Sequence, residues 1–211
     1  KEPVSEYSIK NKTDKLLPPK SSDDQTKNTL VIDLDETLIH SSFTHISTPD
    51  FTFTLTAAQL IDFSDDKKKL SDNSPQQDFT IYVRIRPFAK EFIERLGDLY
   101  EIIIFSNSNK VYTDEVLKHV DPNHKIKYVL YQESIFEFNG ALVKDLSRLG
   151  RELSKTIIID NNQMSYLLQP YNAIQICTWF RNKNDSELTK IMDFLVENEK
   201  VTDVYSFLVQ K

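Results

Sequence analysis

Three short apolar runs, each closed by polar residues, constrain this chain more than any other feature. LVI runs into Asp33, IIIF at 102–105 runs into Ser106 and Asn107, and TIII at 156–159 runs into Asp160 and Asn161. Runs this short and this wholly apolar are expected as strands buried on both faces. AIQIC at 173–177 is a fourth candidate. Between them lie helical periods. One opens at Pro87 and carries Phe88, Phe92, Ile93, Leu96 and Leu99; proline suits a first turn. A second spans 109–119 with Val111, Val116 and Leu117, and a third spans 185–197 with Leu188, Ile191, Met192 and Leu195. Strands alternating with helices predict an α/β fold, a parallel sheet with helices on both faces. In such sheets ligands bind beyond the carboxyl ends of the strands. The polar residues closing the three runs are therefore expected to converge on one crevice.

The first closing segment is unusual. In TLVIDLDETLIHSS, Asp33 and Asp35 stand two residues apart and repel each other. A hard cation between them would remove that cost. Mg2+ takes oxygen ligands, keeps several waters, and binds one or two carboxylates with substrate phosphate. Asp33, Asp160 and the amide oxygen of Asn161 suit that role. With phosphate present, one aspartate can attack phosphorus and form an aspartyl phosphate. The other can protonate the leaving oxygen and then deprotonate the attacking water. The transition state needs donors for its equatorial oxygens. Ser106, backbone N–H groups near Asn107, and Lys144 in VKDLSRLGR are the candidates.

The remaining segments bound the problem. Residues 1–28 are polar, with Pro3, Pro18 and Pro19, and are expected as an extended arm before a domain at 29–211. FTFTLT at 51–56 and FTIYVRI at 79–85 alternate like half-buried strands, which predicts a β-hairpin insertion at about 44–85 with a long polar tip. Residues 126–131 and 141–143 are weaker strand candidates. The formal net charge is -6, and the one basic run, Lys67 to Lys69, follows Asp65 and Asp66, so direct nucleic-acid binding is not expected. No apolar run is long enough for a membrane span. Cys177 is the sole cysteine, which excludes an internal disulfide; its apolar surroundings predict a buried thiol in an intracellular protein. His40 and His45 lack a third zinc ligand, and three glycines supply no phosphate-cradling loop.

The ordered blocks resemble a known family. DLDETLIHSS, RPFAKEF, IIIFSNS, VKDLSRLGREL, IIIDNN, TWF, NDSEL and VYSFL are similar to the signatures of FCP/SCP-type phosphatases, the NLI-interacting-factor-like branch of the haloacid dehalogenase superfamily. The resemblance covers residues 29 to 209. It implies a Rossmann-like sheet with a small β insertion and no large cap. It implies Mg2+-dependent dephosphorylation of phosphoserine or phosphothreonine proteins, the best-known substrate being the RNA polymerase II tail, by a nuclear monomer. It places Asp33 as nucleophile and Asp35 as general acid/base. Asp33, the Asp35 carbonyl and Asn161 form the implied metal shell, with Asp160 beside it. Ser106 and Lys144 hold phosphate, and Thr37 steadies the first loop. Several positions depart from the family: Ser106 stands where threonine is usual, Asn107 where a small residue is, Asn162 and Gln163 where Ser-Pro follows the Asp-Asn pair, Gln132 where arginine is common, and Asn109 where an apolar residue is frequent.

Two other readings stay open. A small-molecule phosphatase of the same superfamily would need a closed site. A catalytically weak phosphopeptide-binding scaffold would be expected to lack the paired aspartates, which are present. The chain begins at Lys1, so an upstream segment, including an anchor to the nuclear membrane, is left open.

Overall fold

The computed structural model describes residues 15–61 and 78–208. Its centre is a five-stranded parallel sheet. β1 (Thr29–Ile32) lies in the middle, between β5 (Glu101–Phe105) and β9 (Thr156–Asp160). β6 (Ile126–Leu130) and β10 (Ala173–Gln175) close the two edges. Thr29 is in register with both Glu101 and Thr156, and Ile32 with both Ile104 and Ile159. Every residue of β1, β5 and β9 is buried. This is why their sequence is continuously apolar rather than alternating.

Alternate side chains feed two cores. Leu30, Ile32, Ile102, Ile104, Ile157 and Ile159 pack toward one face, which the α-helices cover. These are α2 (Ala89–Leu99), α3 (Lys110–Val120) and α4 (Glu187–Glu197). α2 buries Ala89, Phe92, Ile93, Leu96 and Gly97, one stripe at helical spacing. Val31, Ile103, Phe105 and Ile158 point to the other face. There the cover is Leu17, short 3-10 turns carrying Leu146, Leu149 and Tyr166, and Leu130. From Lys15 on, the segment expected as an arm lies against the body: Leu17 is buried and the Leu16 N–H donates to the Arg148 carbonyl at 2.8 Å.

The insertion is a three-stranded antiparallel sheet rather than a hairpin alone. β4 (Asp78–Ile85) pairs with β3 (Phe51–Thr56) on one side and with β2 (Ile39–Ser42) on the other. A short helix, α1 (Ala57–Ile61), follows β3 and was not anticipated. The polar hairpin tip and the lysine run at 67–69 lie outside the described residues. A small hairpin, β7 (Phe136–Phe138) and β8 (Ala141–Val143), turns at Asn139–Gly140, both at positive φ.

Two expectations are corrected. Phe88 precedes α2 instead of facing the core from it. Its φ is 67°, its side chain is largely exposed, and its carbonyl accepts from the Phe92 N–H. The chain needs that left-handed residue to turn from β4 into the helix. Cys177 is exposed, not buried. The strand ends at Gln175, and beyond it Ile176 and Trp179 point in while Cys177 and Thr178 point out.

Candidate active site

The carboxyl ends of β1, β5 and β9 open into a pocket of about 520 Å3. Its lining includes Asp33, Asp35, Glu36, Asp160, Asn161 and Asn162, together with Asn107, Ser108, Asn109, Tyr112, Ser41, Phe43, Leu60 and Gln132. The convergence expected from the strand endings is therefore present for Asp33, Asp35, Asn107, Asp160 and Asn161. Ser106 and Lys144 stand behind the surface, both fully buried.

Asp33 leaves β1 with its N–H donating to the Ile159 carbonyl at 2.9 Å, which extends the sheet pairing by one residue. The following loop folds tightly on itself. Leu38 and Ile39 N–H groups donate to the Leu34 carbonyl, and Glu36 takes a positive φ of 59°. The Thr37 hydroxyl donates to Asp33 Oδ2 at 2.9 Å and lies 3.4 Å from Asn161 Oδ1, so it steadies both sides of the mouth. Arg86, fully buried, donates to the Thr37 carbonyl at 3.1 Å and is held by both oxygens of Asp185. The RP and NDSEL blocks thus meet under this loop.

Lys144 is delivered by β8. Its N–H donates to the Ser165 carbonyl at 2.7 Å, and its ammonium lies 2.6 Å from Asp33 Oδ1 and 2.7 Å from Asp160 Oδ2. Burial works against its charge, but Asp33 and Asp160 outweigh that and raise its pKa. Asp33 is pushed upward by burial and by the charge of Asp160, against the pull of Lys144. One cation thus faces two buried carboxylates, with Asp35 and Glu36 nearby in the same pocket. This surplus of negative charge is the observation that fits a bound cation. The donor set is hard oxygen throughout: the Asp33 carboxylate, the Asn161 amide oxygen and backbone carbonyl. No group of three His, Cys, Asp or Glu side chains clusters around a metal position among the described residues. Mg2+ does not need one, since it retains waters and uses few carboxylates.

Sequence reasoning missed the surroundings of Asp35. Its Oδ1 accepts from the Tyr112 hydroxyl at 2.5 Å and its Oδ2 from the Ser108 hydroxyl at 2.9 Å. Burial raises its pKa, and both hydrogen bonds work the other way. Tyr112 is itself held protonated, by burial and by the Asp35 charge. Ser106 accepts from the Ser108 N–H at 3.0 Å and so shapes this loop from beneath. The Ser-x-Ser spacing after a buried strand was a visible signal for Ser108; Tyr112 read only as one helical position among several.

Asn109 explains its departure from an apolar residue. Its side-chain oxygen caps α3 by accepting from the Tyr112 N–H at 2.9 Å. Its amide donates to the Gln59 carbonyl at 3.1 Å, latching α1 to the pocket wall beside Leu60. Gln132 lies in the same lining.

Comparison with known proteins gives the following. The family described as NLI interacting factor-like phosphatase matches residues 28–205. An uncharacterized protein of Schizosaccharomyces pombe is 38% identical over 92% of this chain and 54% of its own length. Carboxy-terminal domain RNA polymerase II polypeptide A small phosphatase 1 of Homo sapiens is 36% identical over 92% of this chain and 68% of its own. The chain thus spans roughly half to two thirds of these relatives. The solved structure of Fcp1, an essential RNA polymerase II CTD phosphatase, superposes with a TM-score of 0.56 at 18% identity, covering 82% of this chain and 51% of that one. At that identity the likeness concerns the fold.

Proposed function

Because the chain belongs to the NLI interacting factor-like phosphatase family, we propose that it is a Mg2+-dependent protein serine/threonine phosphatase working through an aspartyl phosphate on Asp33. The observation that carries the reading is the pair Asp33 and Asp35 at the mouth of one open pocket, with Lys144 buried against the first. Asp33 is held at both oxygens, by Lys144 and by Thr37, which orients it for attack. A bond forms from its carboxylate to phosphorus, and the bond to the serine or threonine oxygen breaks. Asp35 gives that oxygen its proton, then takes one from the water that displaces phosphate from Asp33. The Asn107 N–H and the Ser106 hydroxyl are assigned to the phosphoryl oxygens, with Lys144 supplying positive charge.

Asp33, the Asp35 carbonyl and Asn161 would hold the Mg2+, with Asp160 beside them. Bound there, it would offset the negative surplus and screen an incoming phosphate. The pocket is open and flanked by the exposed Phe43 and by Leu60, which supports a protein segment as substrate rather than an enclosed metabolite. The named relatives favour the RNA polymerase II carboxy-terminal tail, or another phosphoprotein, and a nuclear place of work.

Asp33→Asn tests the core of this. The change is nearly isosteric and removes one charge from a cluster with too many. Turnover of phosphoserine peptides and of 4-nitrophenyl phosphate should fall by at least about 10^4-fold, while thermal stability in chelator holds or rises. Substantial turnover by the purified, Mg2+-loaded variant would remove Asp33 as nucleophile.

A further inference from the structure

Asp35 has two oxygens with different neighbours. Oδ2 meets Ser108, which is half-buried at the pocket edge; Oδ1 meets Tyr112, only 7% exposed. Tyr112 in turn lies 2.8 Å from Ser41 Oγ on β2. A phenol carries one proton. Given to Asp35, that proton leaves the phenol oxygen to accept from the Ser41 hydroxyl. Ser41, Tyr112 and Asp35 then form a directed chain in which each bond strengthens the next. Nothing in the proposed chemistry requires Tyr112 or Ser41 to touch substrate, yet the Tyr112 hydroxyl meets the acid/base and Ser41 meets Tyr112 from behind.

We infer that Tyr112 is a positioning residue for Asp35, and that Ser41 orients Tyr112. By occupying Oδ1, the Ser41–Tyr112 chain leaves Oδ2 as the oxygen that carries the proton and faces the scissile bond. When Oδ2 is protonated, the Ser108 hydroxyl turns away from it, and Oδ1 still accepts from Tyr112. The proton passes from Oδ2 to the serine oxygen as its bond to phosphorus breaks; in the second half Oδ2 takes one proton from water as the new bond to phosphorus forms. Tyr112 keeps its own proton throughout. The device reaches across the molecule: Tyr112 comes from α3, Ser41 from the insertion sheet, so the insertion supports the general acid as well as lining the pocket. This inference rests on the assignment of Asp35 as acid/base.

The test is the dependence of kcat/KM on leaving-group pKa, measured with a series of aryl phosphates and a phosphoserine peptide. Tyr112→Phe keeps the ring, which packs 5.9 Å from that of Phe53, and loses only the hydroxyl. It should cost about 10-fold or more on the phosphoserine peptide and under about 3-fold on 4-nitrophenyl phosphate, with a steeper leaving-group dependence. Ser41→Ala should move both in the same direction by about 3-fold on the peptide, and Ser41→Thr should restore them. Asp35→Asn is run alongside. If Asp35→Asn loses equally on all substrates, the acid/base assignment falls and the inference with it. If Asp35→Asn is selective for poor leaving groups while Tyr112→Phe has no effect or loses equally on all, the positioning role alone is overturned. A Ser41→Ala variant indistinguishable from wild type removes Ser41 from the chain.

Discussion

The sheet carries a buried ion cluster at each end, and the two differ in their balance of charge. At the amino ends of β1 and β5, Glu101 is wholly buried. Arg151 grips both of its oxygens, at 2.8 and 2.6 Å, the Thr29 hydroxyl donates at 2.8 Å, and Lys20 lies 3.7 Å away. Burial would raise the Glu101 pKa, but these partners bring it below its ordinary value. At the carboxyl ends the ratio is reversed: one lysine serves Asp33 and Asp160, and Asp35 stands nearby. In the first cluster the buried carboxylate is fully met by cations and a hydroxyl of the protein itself. The second holds a negative surplus and opens to solvent. Buried charge alone does not mark a site; uncompensated charge facing a pocket does.

The largest contrast is expected from removing each cation. Arg151→Met leaves Glu101 buried without its fork, and should destabilise the fold by about 3–5 kcal/mol while kcat/KM stays within about 2-fold. Lys144→Met should lower kcat/KM by about 10^3-fold and also destabilise, with part of that stability returned by Mg2+. Denaturant melts with Mg2+ and with chelator, beside steady-state kinetics, measure both. Loss of turnover in Arg151→Met would break the distinction between the two ends.

The amino end also predicts a pH signature. Glu101 has a folded pKa below its ordinary value of 4.5, so its contribution is present above that value and is lost as pH falls through the folded pKa. Glu101→Gln cannot ionise. At pH 7 it should be less stable by about 1.5–3 kcal/mol, and the gap to wild type should close as pH falls below 4.5 and through the folded pKa. A gap constant from pH 7 to pH 3 would show that ionisation of Glu101 is not what stabilises this end.

At the carboxyl end, not every polar contact serves the chemistry. Asn109→Ala removes the cap of α3 and the latch to α1. It should cost about 1 kcal/mol of stability and alter kcat/KM on phosphopeptides more than on aryl phosphate. Equal changes on the two substrates would detach α1 from substrate recognition. Gln132→Arg is the smallest step. A charged donor at the rim should raise kcat/KM on RNA polymerase tail phosphopeptides several-fold at low ionic strength, with little change on aryl phosphate. An unchanged peptide rate would place Gln132 outside the peptide path.

Legibility followed locality. A strand buried on both faces must be apolar along its length, so LVI, IIIF and TIII announced themselves, and the residues just past them had to lie at the carboxyl edge. Asp33, Asp35, Asn107, Asp160 and Asn161 were found in this way. Phe88 misled because a helical period carries no sign of a left-handed residue at its start. Cys177 misled because an apolar run does not reveal where a strand stops and which of the following residues face solvent.

The sequence by itself determined the parallel sheet, the edge where chemistry gathers and the aspartate pair, because these follow from burial and strand polarity within short segments. The tertiary structure alone decided that Lys144 divides itself between Asp33 and Asp160, that Arg86 ties Thr37 to Asp185, and that Ser41 and Tyr112 converge on Asp35. Those contacts join residues separated by between 16 and 111 positions. Their partners are chosen by how strands and helices pack, and no local pattern in the chain encodes that choice.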